Sequence, residues 1–530
     1  MSVRLKPSIV WGVAFVILAP WLIVQGQAML NGNVSWLLIA AERMATGQSQ
    51  FESIYETNPP LSIIIYIPHI LFSYLFRLDV PAGATALTSI LIILSSITTL
   101  SILKNFNFLT KNDQNSLFFG TLSSITIITA IYFMDREHLM MLVLIPFILC
   151  QFALTYGIAV PKHLLWPVLA LASVMLLVKP HYVILPAVFF CHRMYVQRKL
   201  NIIFDPDFIA LLTGGVIYAL VLVVFYQDYL NIILPDVLNY YLPMKDKYQT
   251  LRFFKAHFSA YIAFLCLELF MEDLEKPKKR LVIYLYICAL LSLIPLLVQL
   301  KGFYNHLMPA FGFFVMGLSL TISFRAEKYM KICPPTIRNV LPVLTLLLSI
   351  LVIRPSWNYP KGTEVSNMTL ARYLDEQCSQ PCSFFIFHGD IEIVNPTALY
   401  KNYTHASRFP SYWFIPTLLQ KVEKAAKDNN KSSSENLKKE IIRFSSYVEQ
   451  DLKKYRPSLL LIGTNIDVFG NGRFFDYVTF FSVNNNFKRE FQDNYSKTGT
   501  FEFDRAEYFR GTSLAQSYKL KYDVYVRNTK

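Results

Sequence analysis

The sequence predicts a polytopic α-helical membrane protein with a soluble α/β domain at its C-terminal end. Two observations carry the first half of that expectation. Of 530 residues, 54% are hydrophobic and only 16% charged, with a mean hydropathy of +0.37; a water-soluble chain of this length does not hide so much apolar surface. Uncharged apolar runs such as IVWGVAFVILAPWLIV, SLFFGTLSSITIITAIYFM and LVIYLYICALLSLIPLLVQL recur through the first two thirds, each near the roughly 20 residues that a ~30 Å hydrocarbon slab asks of a helix. A third observation carries the other half: after Arg354 the charge rises and alternating patterns set in.

The first run follows Arg4 and Lys6, and no small-residue cleavage site comes after it. It is expected to stay as a first span rather than be removed as a signal peptide. Positive charge in short loops marks the cytoplasmic side. Such loops are Lys104 to Lys111, Lys162, HRMYVQRK at 192–199, EKPKKR at 275–280, and Arg325 to Arg338. With a cytoplasmic N-terminus they alternate correctly over about eleven spans, near 9–26, 82–103, 116–134, 139–156, 164–178, 182–196, 208–226, 256–270, 281–300, 307–324 and 340–353. The net charge of +14 is scattered among these loops, as orientation signals rather than as a nucleic-acid patch, and no nucleic acid is expected as a partner.

The run after YETNPPL would flip every later basic loop if it crossed the membrane. A helix lying on the outer interface over 61–76 keeps the signs consistent, and the double proline suits a first helical turn. A second interfacial helix is expected at about 35–47. The domains are therefore 1–354, transmembrane, and 355–530, soluble and extracytoplasmic, in a multi-pass inner-membrane protein whose partner is the lipid bilayer.

In the tail, SENLKKEIIRFSSYVEQDLKKY spaces Leu437, Ile441, Phe444, Val448 and Leu452 as one helical stripe. RPSLLLIG, CSFFIFHGD and YKLKYDVYVRN read as strands, and KAAKDNNKSSSEN reads as a polar, mobile loop. Five of seven cysteines lie in or beside apolar runs, where packing accounts for them. Cys378 and Cys382 lie beyond the last span, where an exported location would permit a local disulfide.

The outer segments collect ionisable residues at one depth. The first loop carries Glu42, Arg43, Glu52 and Glu56; the second turn is Asp135, Arg136, Glu137 and His138; Lys179 and His181 follow, then Lys301, Tyr304 and His306. A carboxylate taking a proton from an acceptor hydroxyl, opposite cations that stabilise charge developing on a phosphate, would use such a set. Taken singly, each residue has a plainer role. DREH suits a solvated turn, Lys179 can snorkel to the interface, His306 can satisfy a helix end, and Glu52 and Glu56 are one helical turn apart on an exposed face.

The order of a first span, a long acidic outer loop with PPL, a basic inner loop and an acidic outer turn resembles the GT-C superfamily of integral-membrane glycosyltransferases. That superfamily includes the lipid A aminoarabinose transferases and the protein O-mannosyltransferases. The resemblance is carried by NVSWLLIAAERMATGQSQFESIYETNPPL, DREHLMMLVLIPFIL and VKPHYVILP over 27–182, and more faintly by KGFYNHLMPA and NYTHASRFPSYWFIP. It implies a hexosyl or pentosyl transferase whose donor is a sugar on a polyprenyl phosphate and whose exported acceptor is a glycolipid, a polysaccharide or a protein. It also implies that acids in the first two outer segments act in catalysis, here Asp135, Glu137, Glu56 and Glu52. Lys179, His181, His306, Arg136 and Lys301 would contact the donor phosphate. Where many relatives begin the first-loop helix with Asp, this chain has Asn33, which cannot serve as a base. No cofactor is demanded; some relatives use a divalent cation, which the acids could hold.

Other readings are a transporter or lipid flippase, an O-antigen polymerase or ligase, and a catalytically silent scaffold, the last favoured by Asn33. Transporters place charge near mid-membrane and often duplicate their halves; here the charges gather at one boundary and no repeat is visible. In the tail, Arg408, Tyr412 and Trp413 of SRFPSYWF could touch an acceptor sugar, against a plainer packing role. No glycine-rich nucleotide loop is present.

Overall fold

A computed structural model describes residues 7–271, 274–329, 349–350, 358–378, 380–467, 474–510, 512 and 517–528. The chain divides into two compact units. One comprises Met1–Gly26, Thr85–Val221 and Lys245–Trp357; the other comprises Gln27–Ala84, Leu222–Met244 and Asn358–Lys530.

The first unit is helical. Ten of the eleven runs expected to span fall on helices, and among the described residues six helices are long and apolar enough to cross a membrane: Val80–Leu103, Arg136–Thr155, Pro206–Phe225, Lys247–Phe270, Lys276–Gln299 and Tyr304–Lys328. The eleventh run, 340–353, lies outside the described residues except for 349–350, as does most of the basic loop ending at Arg338. Arg136–Thr155 is almost wholly buried, with neighbours in Lys162–Val178, Ile184–Gln197 and Met308–Tyr329. Of Pro206–Phe225 only Asp207 is buried, so its apolar side chains are left for lipid.

The run at 116–134 is less regular than one span. A capping box of Thr110 and Asp113 starts its helix early, at Lys111–Leu122. A π-turn, Ser123–Ile127, and a 3-10 turn, Ala130–Tyr132, follow. His138 explains part of that irregularity, because its Nε2 donates to the Ile125 carbonyl at 2.9 Å while its Nδ1 accepts from the Met134 N–H at 2.8 Å. A backbone N–H can only donate and a carbonyl can only accept, so the Nε2–H tautomer is fixed.

The second unit combines helices with a five-stranded sheet. In chain order the strands are β1 (Ser383–Phe387), β2 (Thr404–His405), β3 (Leu459–Gly463), β4 (Tyr495–Asp504) and β5 (Lys519–Arg527). Their spatial order is β2-β1-β3-β5-β4; the first three run parallel and β5 and β4 pair antiparallel. β1, β3 and β5 are the three strands expected from the sequence. The predicted helical stripe is present in Lys431–Tyr455, where Leu437, Phe444, Val448 and Leu452 enter the core and Ile441 packs against it.

KAAKDNNKSSSEN is not a loop. Ile415–Lys427 is helical, the next helix begins at Lys431, and only Asp428–Asn430 connects them. The reason is local: the Asn430 side chain accepts from the Ser433 N–H at 2.9 Å and caps the second helix, and Ala425 is drawn into the core.

The first-loop helix runs over Gly32–Ala45, and PPL opens two short helices, Leu61–Ile64 and Ile67–Leu75. Gly32 packs so closely on the helix Ile391–Lys401 that a Cβ there would stand 2.3 Å from the Ile391 carbonyl oxygen. Cys378 and Cys382 are joined in a disulfide.

Candidate functional site

In the helical unit the sequence DREH forms the start of a helix rather than a free turn. Asp135 is the N-cap of Arg136–Thr155, its carboxylate accepting from the Arg136 N–H at 2.7 Å. The partial positive charge of that helix end favours an anion there. Met134 just before it has φ of 67° and Ala130 has φ of 44°, left-handed backbone that costs non-glycine residues energy and collects at functional sites.

Glu137 points into the protein, fully buried, and side chains from two other segments meet it. Lys179, at the end of Lys162–Val178, brings its Nζ to 2.9 Å from Glu137 Oε1, and Nε2 of His306 stands 3.7 Å from the same oxygen. Asn305 donates to Asp135 Oδ2 at 3.3 Å, and the Tyr182 hydroxyl donates to the His306 carbonyl at 3.3 Å. All six of these side chains are buried. Nδ1 of His306 has no hydrogen-bond partner among the described residues.

Burial holds the Asp135 carboxyl up at about 6, and the Glu137 charge adds to that push while Arg136 and Lys179 oppose it. His181 is lowered by burial and then by Lys179. Lys301 is lowered to about 8, first by burial and then by Lys245. The next residue, Gly302, has φ of 67°, and a Cβ there would stand 2.9 Å from Gln249 Cβ, so the turn that carries Lys301 into the interior suits glycine alone.

Asp135, Arg136, Glu137, Lys179 and His306 are thus gathered, with His181 close enough to feel Lys179 and Glu137. His138 belongs to the same turn but is committed to backbone. The first-loop acids belong to the other unit. There Glu52 is exposed, while Glu56 is buried and fully engaged: Trp36 Nε1 donates to its Oε2 at 2.7 Å, and the Asn58 N–H donates to its Oε1 at 3.0 Å. Glu42 accepts from the Tyr74 hydroxyl. Arg43 donates to the carbonyls of Ser53, Ser407 and His405.

The three tail residues expected near an acceptor lie in the interior of that unit. Arg408 is paired with Asp451 at 2.8 Å, and Tyr412 and Trp413 pack in the aromatic core. Asn305 is the site residue that sequence reasoning passed over. It stood inside KGFYNH, but a search for ionisable groups does not register an amide. Among the described residues no group of three or more His, Cys, Asp or Glu is placed to hold a metal ion.

Two solved structures of ArnT from Cupriavidus metallidurans are similar to this chain, one in the apo state and one bound to undecaprenyl phosphate. Each is 11% identical with a TM-score of 0.47; the first covers 76% of this chain and 86% of that one, the second 75% and 85%. No family model and no curated protein matches the chain. At that TM-score and identity the likeness carries no functional argument, so the site's chemistry is taken from its own residues.

Proposed function

We propose that this protein transfers a sugar from a polyprenyl-phosphate donor to an exported glycolipid, polysaccharide or protein at the outer face of the membrane. The supporting observation is the convergence at the head of a buried apolar helix: two acids two residues apart, a lysine, an arginine and two imidazoles, beside strained backbone. Ionisable groups at such a depth are costly and mark function by default. Apolar helices around a charged end suit a ligand with an isoprenoid tail and a phosphate head.

In this reading Asp135 is the base. Its raised carboxyl is a better proton acceptor than an ordinary aspartate and is still ionised at neutral pH. It takes the proton from the acceptor hydroxyl as that oxygen bonds to the anomeric carbon. The bond from that carbon to the phosphate oxygen breaks, and the polyprenyl phosphate leaves with the electron pair. One displacement inverts the anomeric centre. Lys179 and Arg136 stabilise the departing phosphate, with His181 and His306 as further contacts. Glu137 acts as a positioning residue, holding Lys179 and His306 in place.

The test uses membranes containing the protein and a panel of radiolabelled polyprenyl-phosphate sugars. The wild type is expected to release polyprenyl phosphate from at least one donor and Asp135→Asn from none. Absence of release from every donor by the wild type would sink the reading.

A further inference from the structure

The second unit holds a cleft of about 830 Å³ that the transfer reading does not use. One wall is the segment 231–240; the other is the end of the helix Ile415–Lys427 and the first half of Lys431–Tyr455. Its volume falls within the roughly 300–1,000 Å³ of small-molecule sites.

We propose that this cleft binds a short neutral oligosaccharide. Four amide side chains line it, Asn231, Asn239, Asn430 and Asn436. Asn231, Asn239 and Asn436 each offer planar donors and an acceptor side by side, as a pair of neighbouring sugar hydroxyls requires, while Asn430, whose oxygen caps the Ser433 N–H, offers its NH2 group. Ile232, Pro235 and Leu437 supply apolar lining for the C–H faces of sugar rings. Charge excludes the alternatives. Lys421, Lys424 and Arg443 are matched by Asp236, Asp428 and Glu440, three against three, so neither an anion nor a cation is favoured.

Much of that charge is also committed internally. Arg443 makes a bidentate pair with Asp236 at 2.7 and 2.8 Å and contacts Glu440, and the Tyr55 hydroxyl donates to Asp236. The Tyr240 hydroxyl donates to Glu440 at 3.2 Å. Closed in this way, the network forms a fixed polar floor rather than a docking point for a charged group. The wall that carries Asp236 is irregular as well, with π-turns at Tyr229–Ile233 and Val237–Tyr241 on either side of it, and such turns occur often at functional sites.

The experiment titrates the full chain in detergent with maltotetraose, chitotetraose and mannotetraose, and with an acidic trigalacturonate, by calorimetry. No donor and no turnover are needed, so failure here leaves the transfer reading standing, and failure of transfer leaves this one standing. At least one neutral oligosaccharide is expected to bind, and the trigalacturonate to bind more weakly. Asn239→Ala and Asn436→Ala, both at exposed positions, are expected to weaken binding by roughly five- to tenfold each, the loss of about one hydrogen bond, with unchanged melting temperature. Three results would overturn the proposal: no neutral sugar bound, preference for the acidic one, or binding indifferent to both substitutions.

Discussion

The helix Arg136–Thr155, about 30 Å long at 1.5 Å per residue, has buried charge gathered near each of its ends. At its C-terminal end Gln151 and Arg193 both donate to Asp207 Oδ2, at 2.6 and 2.7 Å, and Arg193 lies over the Phe190 ring. That cluster sets one permanent cation between the buried Asp207 and the partly exposed Asp205, whose carboxylate lies 3.7 Å from Arg193. At the N-terminal end two acids face a lysine, an arginine and two imidazoles drawn from separate segments, and two residues there have left-handed backbone. Polar atoms without hydrogen-bond partners among the described residues occur at both ends, including Asp207 Oδ1 and His306 Nδ1, so they alone do not separate the two. Composition does. An arginine held between two carboxylates fixes how helices pack, whereas a set of groups that can exchange protons and share an anion is equipped for chemistry.

That difference is testable by cutting each end. Asp135→Asn should lower transfer by about 10²- to 10⁴-fold, the range for loss of a general base, and leave the melting temperature in detergent nearly unchanged. Asp207→Asn should do the reverse. Leaving Arg193 buried without its main partner should cost on the order of 3–5 kcal/mol of stability, read as a lower melting temperature, while transfer per folded molecule stays within a factor of about two. If Asp207→Asn abolished transfer at unchanged stability, the two ends would have to exchange roles.

The pH profile sharpens the same contrast. Because burial and Glu137 raise Asp135 to about 6, the ionised base is present above that value and lost below it. Transfer should therefore fall about tenfold per pH unit below 6. The sign for stability is opposite to that of a salt-bridged aspartate. Between its ordinary 3.8 and about 6 the folded carboxyl holds a proton that the unfolded one has released, so stability from this group declines as pH rises through that window. A rate flat from pH 5 to 8 in a step limited by chemistry would remove Asp135 from the base role.

Local period made much of this legible in advance. The apolar runs located ten helical segments, although 116–134 broke into three pieces and the helix expected at 256–270 begins at Lys247, and β1, β3 and β5 stood out as short apolar or alternating runs between turn signals. β4 did not, because YSKTGTFEFD exposes five consecutive residues before its first buried phenylalanine. β2 has only two residues, too few for any period. The site was legible as an inventory but not as a pairing. Asp135, Glu137, Lys179 and His306 were all visible, yet nothing in sequence spacing joins Glu137 to Lys179. The same holds in the second unit, where Tyr55 and Arg443 meet on Asp236 across separations of 181 and 207 residues.

The smallest expected effect concerns the first-loop acid, the other candidate for the base. Glu56 already accepts from Trp36 and from Asn58, so its lone pairs are largely spent on holding the chain that leads into NPPL. Glu56→Gln keeps the shape and one acceptor oxygen, but it turns an NH2 group toward donors of Trp36 or Asn58. That mismatch should cost about 1 kcal/mol of stability, a shift of a few degrees in melting, with transfer within about twofold of wild type. A carboxylate acting as base could not survive the same change, because an amide accepts no proton at neutral pH. Collapse of transfer in Glu56→Gln at near-normal melting would move the chemistry to the first loop. Asp135 and Glu137 would then be anchors for the donor phosphate contacts.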